Sequence, residues 1–223
     1  MELFHVLNRG VDKRVLFTDQ RDYMRFVYDL FEFNDAGAAG STYYTFKRDI
    51  LDLRSPELGL TKKERLVDIH GWCLMKNHYH LLLSERVEGG ITRFLRKLNI
   101  GYAKYFNERH ERSGTLFQGR TKKVRVEKLG HELHILHYVH LNPLDYSAGA
   151  RNWRGRRIEN AKAALSHLEN YKWSSYLDYT GAENFPAILT KDFFQASHED
   201  LKKETGEFLH NIDLSGLTKL TLE

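Results

Sequence analysis

Three features of the chain predict an α+β fold of the ferredoxin-like, split βαβ kind. Stretches rich in β-branched and aromatic residues alternate with stretches of helical period. Their order is β-α-β-β-α-β, followed by another helix. The two middle strands flank a turn at Lys76-Asn77, which reads as a hairpin at the sheet centre. This arrangement sets helices on one face of an antiparallel sheet and leaves strand positions on the other face for a flat binding surface. A domain over residues 1–146 is expected, then a basic loop and helical C-terminal extension over 147–223.

The elements follow in order. Leu3 to Asn8 reads as a short strand that stops at the turn signal Arg9-Gly10. Asp19 is placed to cap a helix with Tyr23, Phe26, Val27, Leu30 and Phe31 at helical spacing. Residues 34–40 are small and Gly-rich, a loop, and the mixed stretch around 41–66 reads as an insertion. Val67–Met75 and Tyr79–Ser84 form the hairpin. After the break at Gly89-Gly90, Thr92–Arg109 carries Phe94, Leu95, Leu98, Tyr102, Tyr105 and Phe106 on a helix. Phe117–Val126 is a strand with basic residues interspersed, and Glu132–Leu141 is a helix that ends before Pro143.

Composition narrows the function classes. The 223 residues include enough hydrophobic and aromatic side chains, 41% and 13%, to build a core rather than a disordered chain. No apolar run approaches the roughly 18–20 residues of a membrane helix, so no membrane partner is expected. The first residues show no basic region leading into an apolar stretch, so no secretory signal is expected either. The single cysteine, Cys73, excludes an internal disulfide framework and a thiolate-rich zinc site, consistent with a cytoplasmic location. The net charge is +4, but the cations cluster in Arg93, Arg96 and Lys97, in Arg120, Lys122, Lys123, Arg125 and Lys128, and in Arg151, Arg154, Arg156 and Arg157. One cluster is an ordinary solvated face. Three clusters flanking the motifs below point to phosphate contacts.

His78-Tyr79-His80 enters a strand, where residues two apart share a face. Two imidazoles can therefore meet one metal ion while Tyr79 points away. An isolated pair of this kind serves equally well as two hydrogen-bonded histidines at a sheet edge. The helix around Tyr138 adds context. Leu129, Leu133 and Leu136 make an apolar stripe, and His131, His134, Tyr138 and Asn142 fall on a different face. Tyr138 can also be read as a half-buried aromatic, and the histidines as helix-surface residues. A tyrosine hydroxyl, with pKa about 10, is a poor nucleophile at neutral pH. A divalent ion that polarises a phosphodiester lessens this difficulty. Neither a nucleophile elbow nor a phosphate-binding GxxxxGK[ST] loop is present.

Five segments, in order, carry a resemblance: Asn8-Arg9-Gly10; Met75-Lys76-Asn77-His78-Tyr79-His80 with Leu81 to Leu83; Arg112-Ser113-Gly114-Thr115-Leu116-Phe117-Gln118-Gly119-Arg120; Tyr138-Val139-His140-Leu141-Asn142-Pro143; and Trp173-Ser174-Ser175-Tyr176. Together they resemble the single-tyrosine HUH transposases, above all the REP-associated tyrosine transposases of bacteria. The resemblance implies cleavage and joining of single-stranded DNA at hairpin-flanked sites through a 5′-phosphotyrosine. It implies a divalent metal, Mg2+ or Mn2+, a DNA hairpin as partner, and a monomer or homodimer. By this match Tyr138 is the nucleophile, His78 and His80 are metal ligands, and Asn142 is the third ligand, at a position where some relatives carry Gln. Arg9, Arg93, Lys97, Gln118, Arg120, Lys122, Lys123 and Arg125 are the expected DNA contacts, and Phe117 a further candidate for base contact. Lys76 departs from the proline many relatives place before Asn-His, and the insertion around 41–66 lies outside the family pattern. Two other readings compete: a hairpin-binding protein without turnover, and a metal phosphohydrolase that adds His131 and His134 to the ligand set.

Overall fold

A computed structural model describes residues 2–37, 64–127, 131–155, 157–194 and 198–210. Four strands form one sheet: β1 (Phe4–Arg9), β2 (Val67–Met75), β3 (His78–Glu85) and β4 (Lys122–Arg125), in the order β2-β3-β1-β4 with every neighbouring pair antiparallel. β3 therefore lies between β1 and β2, the split βαβ arrangement expected. Most of the expected insertion, residues 41–63, falls outside the described residues, as do Leu129 and Lys128.

Helix α1 (Gln20–Glu32) starts where Asp19 accepts hydrogen bonds from the Arg21 and Asp22 amides, the N-cap expected. Helix α2 (Gly90–Arg109) packs beside it. The two approach closely because Gly101 has no side chain: a Cβ there would come within 2.3 Å of the Phe33 ring. Both helices cover one sheet face, where Phe26, Tyr79, Tyr102 and Phe117 meet ring to ring. Phe117 is thus core rather than a base contact.

Three expectations change. β4 is only four residues long, because Phe117 makes an isolated bridge with Gly10 and left-handed Gly119 turns the chain before pairing resumes at Lys122. The hairpin is not central, since β2 ends the row of four strands. β2 is nonetheless buried, because the Trp173-Ser174-Ser175 segment lies along its outer side: the Leu74 amide donates to the Trp173 carbonyl at 2.9 Å and the Ser175 amide to the Trp72 carbonyl at 3.0 Å. Finally, the second sheet face is not an open platform. Helix α3 (His131–Leu141) and the C-terminal extension cover it.

α3 is held there by two devices. Gly71 on β2 leaves room for Leu136, whose side chain would lie 2.9 Å from a Cβ at that position. Ser175 Oγ accepts from the Trp72 amide at 2.9 Å, lies 2.8 Å from His140 Nε2, and reaches the Trp72 carbonyl at 3.2 Å. From Ile135 to Leu141 every residue of α3 is buried, so the helix is not the two-faced one its leucines suggest. The extension forms α4 (Ala161–Asn170), the short α5 (Tyr176–Tyr179) and α6 (His198–His210); α3 meets α5 through the His140 ring and α6 through His137, and α4 packs on both α5 and α6. Between α3 and α6 lies a cleft of about 270 Å³ lined by Leu133, His134, His137, Glu204, Glu207 and Phe208. There His137 Nδ1 is 3.3 Å from Thr205 Oγ and its ring stacks on Phe208. Among the described residues, no helix is long and apolar enough to cross a membrane.

Two outcomes are expected. Ser175→Ala leaves the Trp72 amide and the His140 ring without their buried partner, which should cost about 3 kcal/mol in urea unfolding. Burial, and then the nearby His134, lower the His137 pKa to about 4, against about 6.5 in the unfolded chain. Between these values the unfolded chain binds the extra proton, so this stability is present above pH 6.5 and is lost as pH falls toward 4. Buried Asp29 and Asp178, pushed up to about 7 and about 6 mainly by burial, titrate with the opposite slope. The test is therefore a difference: the stability gap between the protein and His137→Gln should shrink or reverse from pH 7 to pH 4.

Candidate active site

The register of β1 on β3 builds the site. Arg9 faces His78 and Leu7 faces His80 across the pair. With side chains alternating, His5, Leu7 and Arg9 of β1 share one face with His78, His80 and Leu82 of β3. That face looks toward α3. Tyr79 points the other way, and its hydroxyl donates to Asn99 Oδ1 on α2 at 2.8 Å. The His78 and His80 rings lie 5.0 Å apart, edge to face.

Each of these rings is oriented through Nδ1. His78 Nδ1 is 2.7 Å from Asn77 Oδ1. His80 Nδ1 is 3.0 Å from His5 Nε2. Metal ligation by either ring would therefore go through Nε2, a geometry common for imidazole ligands. The motif around them is clamped: the Gly10 amide donates to the Asn77 carbonyl at 2.8 Å, and the Leu16 amide to the Lys76 carbonyl at 2.8 Å. Gly10 is required here, since a Cβ would sit 2.3 Å from the Arg14 carbonyl oxygen.

Tyr138 comes down from α3 onto this face. Its ring centroid is 6.0 Å from that of His80 and 6.0 Å from that of His5, edge to face in both cases. On its other side Trp153 lies 5.6 Å away and the Arg154 guanidinium 5.8 Å from the ring centre. The groups are enclosed: His5 and His80 are 0% exposed, Tyr138 1% and His78 7%.

Asn142 follows one turn after Tyr138, but its amide is turned into the protein. Its nitrogen donates to the Tyr138 carbonyl at 2.9 Å, and its Oδ1 accepts from Arg154 at 2.5 Å. Arg154 also pairs with Asp145, which accepts from the Trp153 indole at 2.8 Å. As for a metal, two imidazoles and an amide oxygen are a donor set suited to a divalent ion, and the histidines fit it in placement. The amide oxygen fits only if Arg154 releases it. Among the described residues no group of three or more His, Cys, Asp and Glu is placed to hold a metal. His134 does not join the pair; its ring meets Phe208 at 6.1 Å. This removes His134 from the ligand set that the phosphohydrolase reading needs.

The expected DNA contacts divide between two sides of the sheet. Arg9 stands beside the histidines, and the Gln118 amide donates to its carbonyl at 2.7 Å, which brings exposed Gln118 and Arg120 to that end. Lys122 faces Leu7 on β4, on the histidine side, whereas Lys123 and Arg125 alternate with it on this exposed edge strand. Arg93 and Lys97 are elsewhere, on α2, where they donate to carbonyls of residues 35–37. The site also contains His5, Trp153 and Arg154, which sequence reasoning did not place there. For His5 a signal existed: it lies at an even spacing from Arg9 on a strand whose register with the histidine strand decides its neighbours.

Residues 58–142 match the family model described as transposase, IS200 like. No curated protein matches the chain. A solved structure of a REP-associated tyrosine transposase bound to a REP hairpin is similar at 14% identity, with a TM-score of 0.48, over 88% of this chain and 90% of that one. The matched stretch carries His78, His80, Tyr138 and Asn142, and is similar to the IS200-like transposase model over that part of the chain.

Proposed function

We propose that this protein is a transposase-type, metal-dependent endonuclease and strand transferase for single-stranded DNA, acting at hairpin-flanked sites. The observation that carries the reading is the contact between Tyr138 and His80 of the same chain, at 6.0 Å between ring centres. The nucleophile and the histidine pair need no second subunit to meet.

In this reading the Tyr138 oxygen attacks the scissile phosphorus and loses its proton. The bond to the 3′ oxygen breaks, and that oxygen leaves as a 3′-hydroxyl after taking up a proton. The DNA 5′ end stays linked as a phosphotyrosine, and a 3′-hydroxyl can reverse the step. Bond energy is conserved in the linkage, so no nucleotide hydrolysis is needed. His78, His80 and Asn142 are the proposed holders of a divalent ion, Mg2+ or Mn2+, which would supply charge stabilisation at the phosphoryl oxygens. Arg9, which faces His78 across the strand pair, is proposed to contact the scissile phosphate. Gln118, Arg120, Lys122, Lys123 and Arg125 are proposed to carry the adjoining backbone. Arg93 and Lys97 would touch only nucleic acid that reaches the α2 side.

Tyr138 at 1% exposure needs Trp153 and Arg154 displaced before DNA can reach it. Arg154 binds Asp145 and the Asn142 oxygen, and a phosphate is a stronger, bidentate partner for a guanidinium. DNA entry would then free Asn142 as well. The same closure favours a second reading, a hairpin-binding protein without turnover.

Incubation with single-stranded hairpin DNA and manganese should give a covalent adduct, mapped to Tyr138 by mass spectrometry. Tyr138→Phe should abolish the adduct while hairpin binding changes less than about 3-fold. Adducts persisting in that variant would remove Tyr138 as nucleophile. A gel shift with no adduct under any divalent ion would select the second reading. Replacing His78 and His80 together by Ala should lower manganese-dependent cleavage at least about 100-fold; undiminished cleavage would discard the metal assignment.

A further inference from the structure

Resting on the reading of His78 and His80 as metal ligands, we propose that His5 is a positioning residue that fixes His80 with its proton on Nδ1 and its Nε2 lone pair toward the metal. His5 lies on β1, 75 residues before its partner in the chain, and is fully buried. Its Nε2 lies 3.0 Å from His80 Nδ1. The two rings are nearly parallel, with planes 9° apart and centroids separated by 5.2 Å. The pairing is diagonal across the sheet: His5 faces Leu82, and His80 faces Leu7. Diagonal neighbours lie roughly 7–8 Å apart at the backbone, within reach of two long rings.

Packing alone does not require imidazole there. The neighbouring positions on the same face are Leu7 and Leu82, both buried and apolar. A buried polar ring must find a partner, and in this site the partner is another imidazole. That hydrogen bond can run in either direction. If His80 donates through Nδ1, its Nε2 can ligate a cation. If His5 donates, His80 carries its proton on Nε2 and cannot ligate through it. A neutral histidine whose other nitrogen donates to a fixed acceptor is the arrangement that metal sites use to orient their ligands. Asn77 Oδ1, an acceptor in the amide's assigned orientation, already stands 2.7 Å from His78 Nδ1 in the same relation. The structure therefore assigns His5 to His80 the role that Asn77 has for His78.

Long-range 1H–15N NMR of the metal-free protein at pH 8, with labelled histidine, reads the tautomer directly. His80 should carry its proton on Nδ1; a proton on Nε2 overturns the inference without any variant. Manganese binding, read by the paramagnetic signal of the free ion, supplies the second test. His5→Phe should weaken binding about 10- to 100-fold and move the His80 proton to Nε2. His5→Gln, whose amide oxygen reaches about as far as Nε2, should restore both to within a few-fold of the unmodified protein. If His80→Ala loses manganese and His5→Phe keeps it, the His5 role fails and the metal reading stands. If His80→Ala binds manganese as the unmodified protein does, the metal reading fails, and the His5 role with it.

Discussion

An antiparallel strand pair with a period of two leaves no independent choices along its length. Once Arg9 faces His78, Leu7 must face His80, and His5, Leu7, Arg9, His78 and His80 must share one face. A slip of one residue would bring Tyr79 onto that face and drive both histidines into the aromatic layer of Phe26, Tyr102 and Phe117. The register of β1 on β3 is held near the hairpin, and β1 is fixed on its β4 side at both ends. Near the hairpin, the Gly10 amide reaches the Asn77 carbonyl and the Gln118 amide the Arg9 carbonyl. At the far end, the Val126 amide reaches the Leu3 carbonyl. The hydrophobic layer on the α1–α2 side therefore specifies the polar layer on the other.

That polar layer is buried, which sets a second condition. Imidazoles and amides removed from water cost free energy unless hydrogen-bonded. The protein meets this with partners from distant parts of the chain: His5 for His80, Arg154 for Asn142, Ser175 for His140. Each bond also fixes a position. Ser175 ties α3 to β2, and α3 brings Tyr138 onto His80. The Trp173-Ser174-Ser175 segment thus acts on the site at a distance, by completing the sheet edge against which the tyrosine helix rests. It is a motif of the fold more than of the chemistry.

What could be read from the sequence divides along the same line. Strands, helices and their order were legible because local period reports them: Asp19 caps its helix, Tyr79 points away from the two histidines, and Tyr138 lies one turn before Asn142. The leucine stripe of α3 was misleading for a physical reason. Its other side is covered by helices of the C-terminal extension that lie well downstream, so His137 and His140 are core residues and His134 faces Phe208. β4 was overextended because alternation continues through Phe117 although pairing does not. The even spacing of His5 from Arg9 and the basic cluster around Arg154 were local signals, but neither placed its residue beside Tyr138. Each becomes part of the site only through a strand register or a loop path, and neither has a sequence period.

The closed geometry around Tyr138 also bears on how such a site can be both stable and usable. An enclosed tyrosine, flanked by His5, His80 and Trp153, is well packed and out of reach of water. Of its outer cover, Trp153 is fully buried and the Arg154 ion pair is the weaker part. The Asp145–Arg154 pair is about a third exposed on each side, and ion pairs of that kind contribute little, about 1 kcal/mol or less. The inner wall, by contrast, is the sheet itself. An anionic strand arriving at Arg154 would compete with one carboxylate and one amide oxygen, both on the short stretch from Asn142 to Asp145, and would leave the β1–β3 register untouched. Opening the cover can therefore change access to Tyr138 without moving the two histidines, because cover and histidines are held by separate sets of bonds.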